Sequence, residues 1–263
     1  MSDEVSRLDM AFCVDLTGSM GPFIAAARAQ LAGILAAMQA ELGAGLRVAI
    51  VAYRDHCDGP RLLDVLPLTA DLERARATLD GLEILGGGDY PEAVYSGLEA
   101  CLGLEWAKGV YRVVVLVGDA PPHACGAPGD SHPQADPSGW TLDGMADRLE
   151  SDGVFVHALC MNKEPVLVRA FRRLSISTGG DQHDATSPDA ALKVVEALSQ
   201  GCLRHLAFDR RLLEQVRAGP PAGASGAGAE DGDQGSALAE ALDASVFEVY
   251  AGLTRLRQRG LIG

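Results

Sequence analysis

The sequence predicts an α/β fold: a doubly wound, mostly parallel sheet with helices on both faces, followed by a helical C-terminal extension. Three observations carry this expectation. The runs "LDMAFCV" (8–14), "YRVVVLVG" (111–118) and "VFVHALC" (154–160) are almost continuously apolar, the pattern of strands covered on both faces. Stretches of helical period lie between them, led by "FIAAARAQLAGILAAMQAEL" (23–42). Strands and helices alternate along the first 200 residues, which implies crossover connections and a layered sheet.

Taken in order, 8–14 is the first strand. The helix after it spaces Phe23, Ala27, Leu31, Leu35, Met38 and Leu42 at three- and four-residue steps, one apolar stripe on a 3.6-residue period. "LRVAIVAY" (46–53) and "LLDVLPL" (62–68) read as strands joined by a polar turn. "ADLERARATLDGLEI" (70–84) is helical by its charges, and the glycines at 86–88 end it. Pro91 suits the first turn of a helix over about 91–103. The strand 111–118 is followed by a long Pro/Gly/His loop, about 120–138, of a length that usually carries function. Helix 140–151, strand 154–160, helix 164–174, a short strand and helix 188–199 complete a domain spanning 1–200. A helical extension (201–217) comes next, then the Gly/Ala/Pro-rich segment 218–236, read as a flexible linker. Residues 237–263 read as one amphipathic helix, with Leu238, Leu242, Val246, Val249, Leu253 and Leu256 on one stripe and Ser236 as N-cap. That stripe docks either on its own domain or on a partner.

Composition narrows the function classes. The formal charge is -14, and lysine occurs only at Lys108, Lys163 and Lys193, so the clustered cations that bind phosphate backbones are missing and no nucleic-acid partner is expected. The apolar runs read as too short to span a bilayer and the first residues as too polar for a signal peptide, giving an expected cytoplasmic location without a membrane partner. The six cysteines form no CxxC pair; Cys13 and Cys160 fall in strands as small buried hydrophobes.

The chemistry concentrates where strands end. Asp15 closes the first strand, and Thr17 and Ser19 follow at alternate positions in the turn into the first helix. A carboxylate with two hydroxyls is a hard-oxygen set suited to Mg²⁺, Mn²⁺ or Ca²⁺. Asp89 follows the glycine loop "GGGD" and Asp119 ends the strand "VVVLVGD". In a doubly wound sheet such positions share the edge where ligands bind. Asp15-x-Thr17-x-Ser19, "GGGDYPEA" and "VLVGDAPPH", in this order over residues 8 to about 200, resemble the metal-ion-dependent adhesion site of von Willebrand factor A domains. "GGGD-x-PE", "YRDH" (53–56) and "DAPPH" (119–123) resemble a subset shared by intracellular bacterial and kinase-linked members. The resemblance implies a divalent metal, Mg²⁺ first, held by Ser19 and, directly or through water, by Thr17, Asp15 and Asp119. Asp89 stands where most of the family has a threonine ligand, so it is either an added ligand or an outer carboxylate acting through water.

The resemblance also implies a non-enzymatic, metal-dependent adaptor of bacterial type, working beside a AAA+ ATPase of the MoxR type or in a conflict or stress system. The enzymatic rival is a metal-dependent phosphatase of the haloacid dehalogenase type. That chemistry needs a second acid two residues after its aspartate, where this chain has Thr17, and a cation for the phosphoryl group. No GxxxxGK[ST], GxGxxG or GxSxG motif is present. His123, Cys125 and His132 match no common zinc spacing and read as loop residues bordering the metal face. His157, inside a strand, reads as a hydrogen-bonded core histidine.

Overall fold

The computed structural model describes residues 5–219 and 231–263. In order, the elements are β1 (Leu8–Asp15), α1 (Gly21–Leu42), β2 (Leu46–Tyr53), β3 (Leu63–Thr69), α2 (Leu72–Gly81), α3 (Val94–Leu102), β4 (Tyr111–Gly118), α4 (Leu142–Ser151), β5 (Val154–Cys160), α5 (Pro165–Ser177), β6 (Gln182–Asp184), α6 (Pro188–Ala218), α7 (Asp231–Leu242) and α8 (Val246–Gln258). The six strands form one sheet in the order β3-β2-β1-β4-β5-β6. β2 runs parallel to β1, β5 to β4 and β6 to β5, while β3 is antiparallel to β2. The expected mostly parallel, helix-covered α/β sheet is therefore what the chain forms.

Two compact units divide the chain, one of Leu8–Trp106 and Arg112–Ser199, the other of Met1–Arg7, Ala107–Tyr111 and Gln200–Gly263. The sheet belongs to the first, and the alternation of side chains along its strands sorts its core. On β1, Ala11 and Cys13 join Tyr53, Val114, Leu116, Val156, Phe171 and Leu174 in the larger cluster. Phe12 and Val14 point to the opposite face, beside Phe23, Ile24, Ala27 and Leu31 of α1. Each of the larger aliphatic and phenylalanine side chains, fully buried, contributes ~1.5–3 kcal/mol. That reserve lets the sheet tolerate unfavourable polar burial at its edge. Gly18–Gly45, which includes α1, is long and apolar enough to cross a bilayer, contrary to the expectation from the shorter apolar runs. Within the unit its stripe, Phe23, Ile24, Ala27, Leu31, Leu35 and Met38, is buried.

The second unit departs from the sequence expectation. Helix 188–199 and the extension after it are one helix, because α6 runs unbroken through Gly201; a single interior glycine weakens a helix by about 1 kcal/mol without ending it. Of the segment read as a linker, 220–230 lies outside the described residues, and from Asp231 the chain is helical. The single helix expected over 237–263 is two. α7 ends where Asp243 takes a positive φ of 51°, and the amide of Ala244 donates back to the Ala239 carbonyl (3.0 Å). The chain restarts at Ser245, not at Ser236: the Ser245 hydroxyl accepts from the Glu248 amide and the Glu248 carboxylate from the Ser245 amide, a reciprocal cap spelled S-V-F-E. Leu212, Leu213, Ala239, Leu242, Val249, Leu253 and Leu256 make this unit's core. Asp209 is fully buried there against Arg255 (2.6 Å) and Arg259 (3.4 Å). Arg259 also donates to the carbonyls of Val5 (2.6 Å) and Gly109 (3.1 Å), closing the unit on itself.

Candidate metal centre

Asp15 ends β1: the Leu16 amide still donates to the Tyr53 carbonyl of β2 (2.8 Å), and a 3-10 turn at Gly18–Met20 then leads the chain out of the sheet. In that turn the Thr17 amide and hydroxyl both donate to Asp15 Oδ1, at 2.8 and 2.7 Å. Ser19 Oγ lies 3.4 Å from Thr17 Oγ1. The other oxygen of Asp15, Oδ2, is buried with no hydrogen-bond partner. Asp119, one residue past β4, lies close enough for its charge to oppose ionisation of Asp15. Burial, then this neighbour, against the two bonds from Thr17, push the Asp15 carboxyl up to about 7. Four of the five residues marked by the sequence, Asp15, Thr17, Ser19 and Asp119, therefore stand together.

Asp89, the fifth, is engaged elsewhere. Its Oδ2 accepts from the Ser131 amide (2.6 Å) and its Oδ1 is buried without a partner. Its carboxylate groups with Asp55 and His123, one ligand atom of each lying within 4.8 Å of the others. His123 is buried between two carboxylates, with Nε2 2.9 Å from Asp55 Oδ1 and Nδ1 2.7 Å from Asp130 Oδ1. Burial alone would favour the neutral ring, but the bonds to Asp55 and Asp130 outweigh it and raise His123 to about 9. Asp55 is likewise opposed by burial, and the bonds from His123, Cys57 and the His56 amide bring it down to about 2. Asp130 also accepts from the amides of Ala124 (2.8 Å) and His132 (2.8 Å), so a protonated His123 ties the long loop to the "YRDH" turn. Arg54, buried one residue earlier, fixes that turn through the carbonyls of Arg61 (2.5 Å) and Glu83 (2.7 Å) and the carboxylate of Asp64 (2.8 Å).

Glu92, the acid of "GGGD-x-PE", is a further site residue that the sequence pattern does not single out. It is buried, its Oε2 has no hydrogen-bond partner, and burial followed by the charges of Asp15, Asp55, Asp58 and Asp119 raises it to about 10. Backbone bonds hold it there: the Glu92 amide donates to Pro121 O and the Ala93 amide to Arg54 O, both 3.0 Å. The glycine loop closes over it at Gly87, whose φ is 88° and where a Cβ would sit 3.3 Å from Glu92 Oε1 and 3.7 Å from Thr17 Cβ. A proline-led acid just ahead of α3 was the only sequence sign of this role, and it needed the crossing of three loops to mean anything.

Asp15 and Glu92 thus each keep one buried oxygen unpaired, beside Asp119 and two hydroxyls. Such burial is unfavourable unless a cation or proton compensates it. The donors are all hard oxygens, which fits a divalent ion of the Mg²⁺ type better than a thiolate-seeking metal.

The chain is similar in part to known proteins. The alpha-protein kinase vwkA of Dictyostelium discoideum is 26% identical over 141 residues, covering 52% of this chain and 23% of its own length. A putative ariadne-like RING finger protein, R811, of Acanthamoeba polyphaga mimivirus is 30% identical over 130 residues, covering 46% of this chain and 12% of its own. The chain thus spans less than a quarter of the length of these curated relatives. Two structures of the pilus adhesin SpaC from Lactobacillus rhamnosus GG, both 18% identical, superpose with TM-scores of 0.56 and 0.60, over 77% and 76% of this chain and 30% and 31% of theirs. At that identity the likeness is one of fold. Residues 9–125 match the family model of the von Willebrand factor A domain, and the sheet and helices that carry Asp15, Glu92 and Asp119 form a fold of that type.

Proposed function

We propose that the sheet unit is a metal-dependent protein-interaction module, with a divalent ion, Mg²⁺ foremost, held by Asp15, Thr17, Ser19 and Asp119, and with Glu92 and Asp89 in the surrounding carboxylate shell. The observation that carries this reading is the pair of buried, unpartnered oxygens, Asp15 Oδ2 and Glu92 Oε2. When bound, the ion supplies positive charge and a coordination position for an acidic group of a partner. The chain's own residues orient that charge: Thr17 fixes one Asp15 oxygen, and the Glu92 backbone bonds set the depth of the shell. The additional acids Asp89, Asp55 and Asp58 weaken the pull on a partner's carboxylate and favour a partner that brings neutral or basic groups beside its acid. Thr17, where a phosphatase needs its second acid, is spent on Asp15, to which its amide and hydroxyl both donate. A MoxR-type AAA+ ATPase remains the partner class suggested by resemblance, and a non-catalytic role in the cytoplasm goes with it.

Calorimetry of the full chain with Mg²⁺ and Mn²⁺ tests the metal, and capture of a partner with and without chelator tests the interaction. One site, lost in Asp15→Asn along with chelator-sensitive capture, is expected. Equal heats from wild type and variant would overturn the metal-dependent reading.

A further inference from the structure

A second group of ligand-type side chains lies apart from the strand ends that hold Asp15 and Asp119. His157 occupies the middle of β5, opposite Val115 of β4, with a side chain only 8% exposed. Gly180 packs so closely on β5 that a Cβ there would stand 2.0 Å from the Val156 carbonyl oxygen. This approach brings the next residue, Asp181, against His157: the Asp181 carbonyl accepts from the Ala158 amide (2.9 Å), and its own amide donates to His157 Nδ1 (3.2 Å). The carboxylate of Asp181 is 3.9 Å from the same nitrogen. His183, two residues on in β6, faces the same way as Asp181 because side chains on a strand repeat every second residue. Its ring centroid is 6.4 Å from that of His157, and its Nε2 is buried without a hydrogen-bond partner.

One ligand atom from each of His157, Asp181 and His183 lies within 4.8 Å of the other two. The Asp181 amide donates to His157 Nδ1, so that nitrogen is unprotonated, and coordination there exchanges the amide bond for one to the ion. Two imidazoles and one carboxylate are the donor set of borderline transition metals, with remaining positions left for water. Mg²⁺ and Ca²⁺, which prefer oxygen, are disfavoured here. We infer that His157, Asp181 and His183 form a second metal site, selective for a Zn²⁺- or Co²⁺-type ion and independent of the oxygen-lined centre at Asp15. Binding joins β5, the glycine turn and β6, and so braces the short edge strand of the sheet.

The test uses the full chain freed of metal by chelator. Co²⁺ is titrated into wild type, His183→Gln, Asp181→Asn and Asp15→Asn while heat and visible absorption are recorded, and the histidine ring signals are followed by NMR on adding Zn²⁺. Asp181 and His183 are not core residues, so both variants should fold, which circular dichroism checks. The expected result is a Co²⁺ site weakened at least ~10-fold in His183→Gln and in Asp181→Asn, unaltered in Asp15→Asn, with the His157 and His183 ring signals shifting on Zn²⁺. Superimposable isotherms for wild type and the first two variants, or unmoved His157 and His183 signals, would overturn the site and leave the amide bond to His157 as a turn lock only. Loss in Asp15→Asn alone would assign the Co²⁺ to the oxygen-lined centre and equally reject this one.

Discussion

The two units bury carboxylates in opposite ways. In the C-terminal helices, Asp209 is wholly enclosed but faces two guanidinium groups, with Arg255 donating through both Nε and Nη2. In the sheet unit, Asp15 and Glu92 are enclosed to a similar degree, yet each keeps an oxygen with no donor, among further acids. Burial raises the Asp209 carboxyl and lowers Arg259 to about 10, but each is partly restored by the other's charge. For Glu92 the surrounding charges of Asp15, Asp55, Asp58 and Asp119 add to the effect of burial and do not offset it. A buried pair that satisfies itself specifies how helices pack. A buried acid left unsatisfied is tolerated only where a large core offsets it, and it is most simply accounted for by a ligand that completes it.

The largest expected effect lies on the paired side. Asp209→Ala leaves Arg255 and Arg259 charged and unpartnered in the helical core, and removing one partner of a buried ion pair destabilises by roughly 3–5 kcal/mol. Urea denaturation followed by circular dichroism should show it, and an unchanged curve would remove the distinction between the two regions.

On the unpaired side the sign reverses. With Asp15 held at about 7 against an ordinary 3.8, the metal-free fold keeps a proton that the unfolded chain has already released, so stability falls as pH climbs from about 4 through 7. Asp15→Asn removes this effect and should stabilise the chelated protein near neutral pH by about 1–3 kcal/mol, the range for an unsatisfied buried group. In Mg²⁺ at about a thousandfold over its Kd the order should invert, because only wild type gains the ~4.1 kcal/mol that such an excess supplies. A variant less stable than wild type in chelator would show that Asp15 is structurally satisfied after all.

The smallest effect concerns His123, where the sheet unit does pair its charges. His123 is raised to about 9, so its contribution is complete below its ordinary 6.5 and disappears as pH rises through 9. Asp55 is lowered to about 2, so its share is present above its ordinary 3.8 and lost as pH falls through 2. The loop 120–138 should therefore be best held between about pH 4 and 6.5. Hydrogen-exchange protection at Ala124 and His132 should decline on either side of that window and be lower throughout in His123→Gln, by roughly 1.5 kcal/mol, the low end for a bond to a charged group.

The sequence by itself determined the sheet, because apolar runs and 3.6-residue stripes answer to local geometry and to water alone. It also placed Asp15, Thr17 and Ser19 together, since three residues in one tight turn cannot separate, and it set Asp119 at a strand's end. The boundary between α7 and α8 was written in S-V-F-E but outweighed by a leucine stripe that runs through it, for periodicity does not register a one-residue reversal of φ at Asp243. What only the tertiary structure decided is which charges meet. Asp55 and His123 are 68 residues apart, and Asp89 turns toward them because the amide of Ser131, on another loop, holds it. Asp209 and Arg255 face each other across two helices that spacing alone does not bring together. Charges act through distance in space, and for residues far apart in the chain that distance is set by how the core packs.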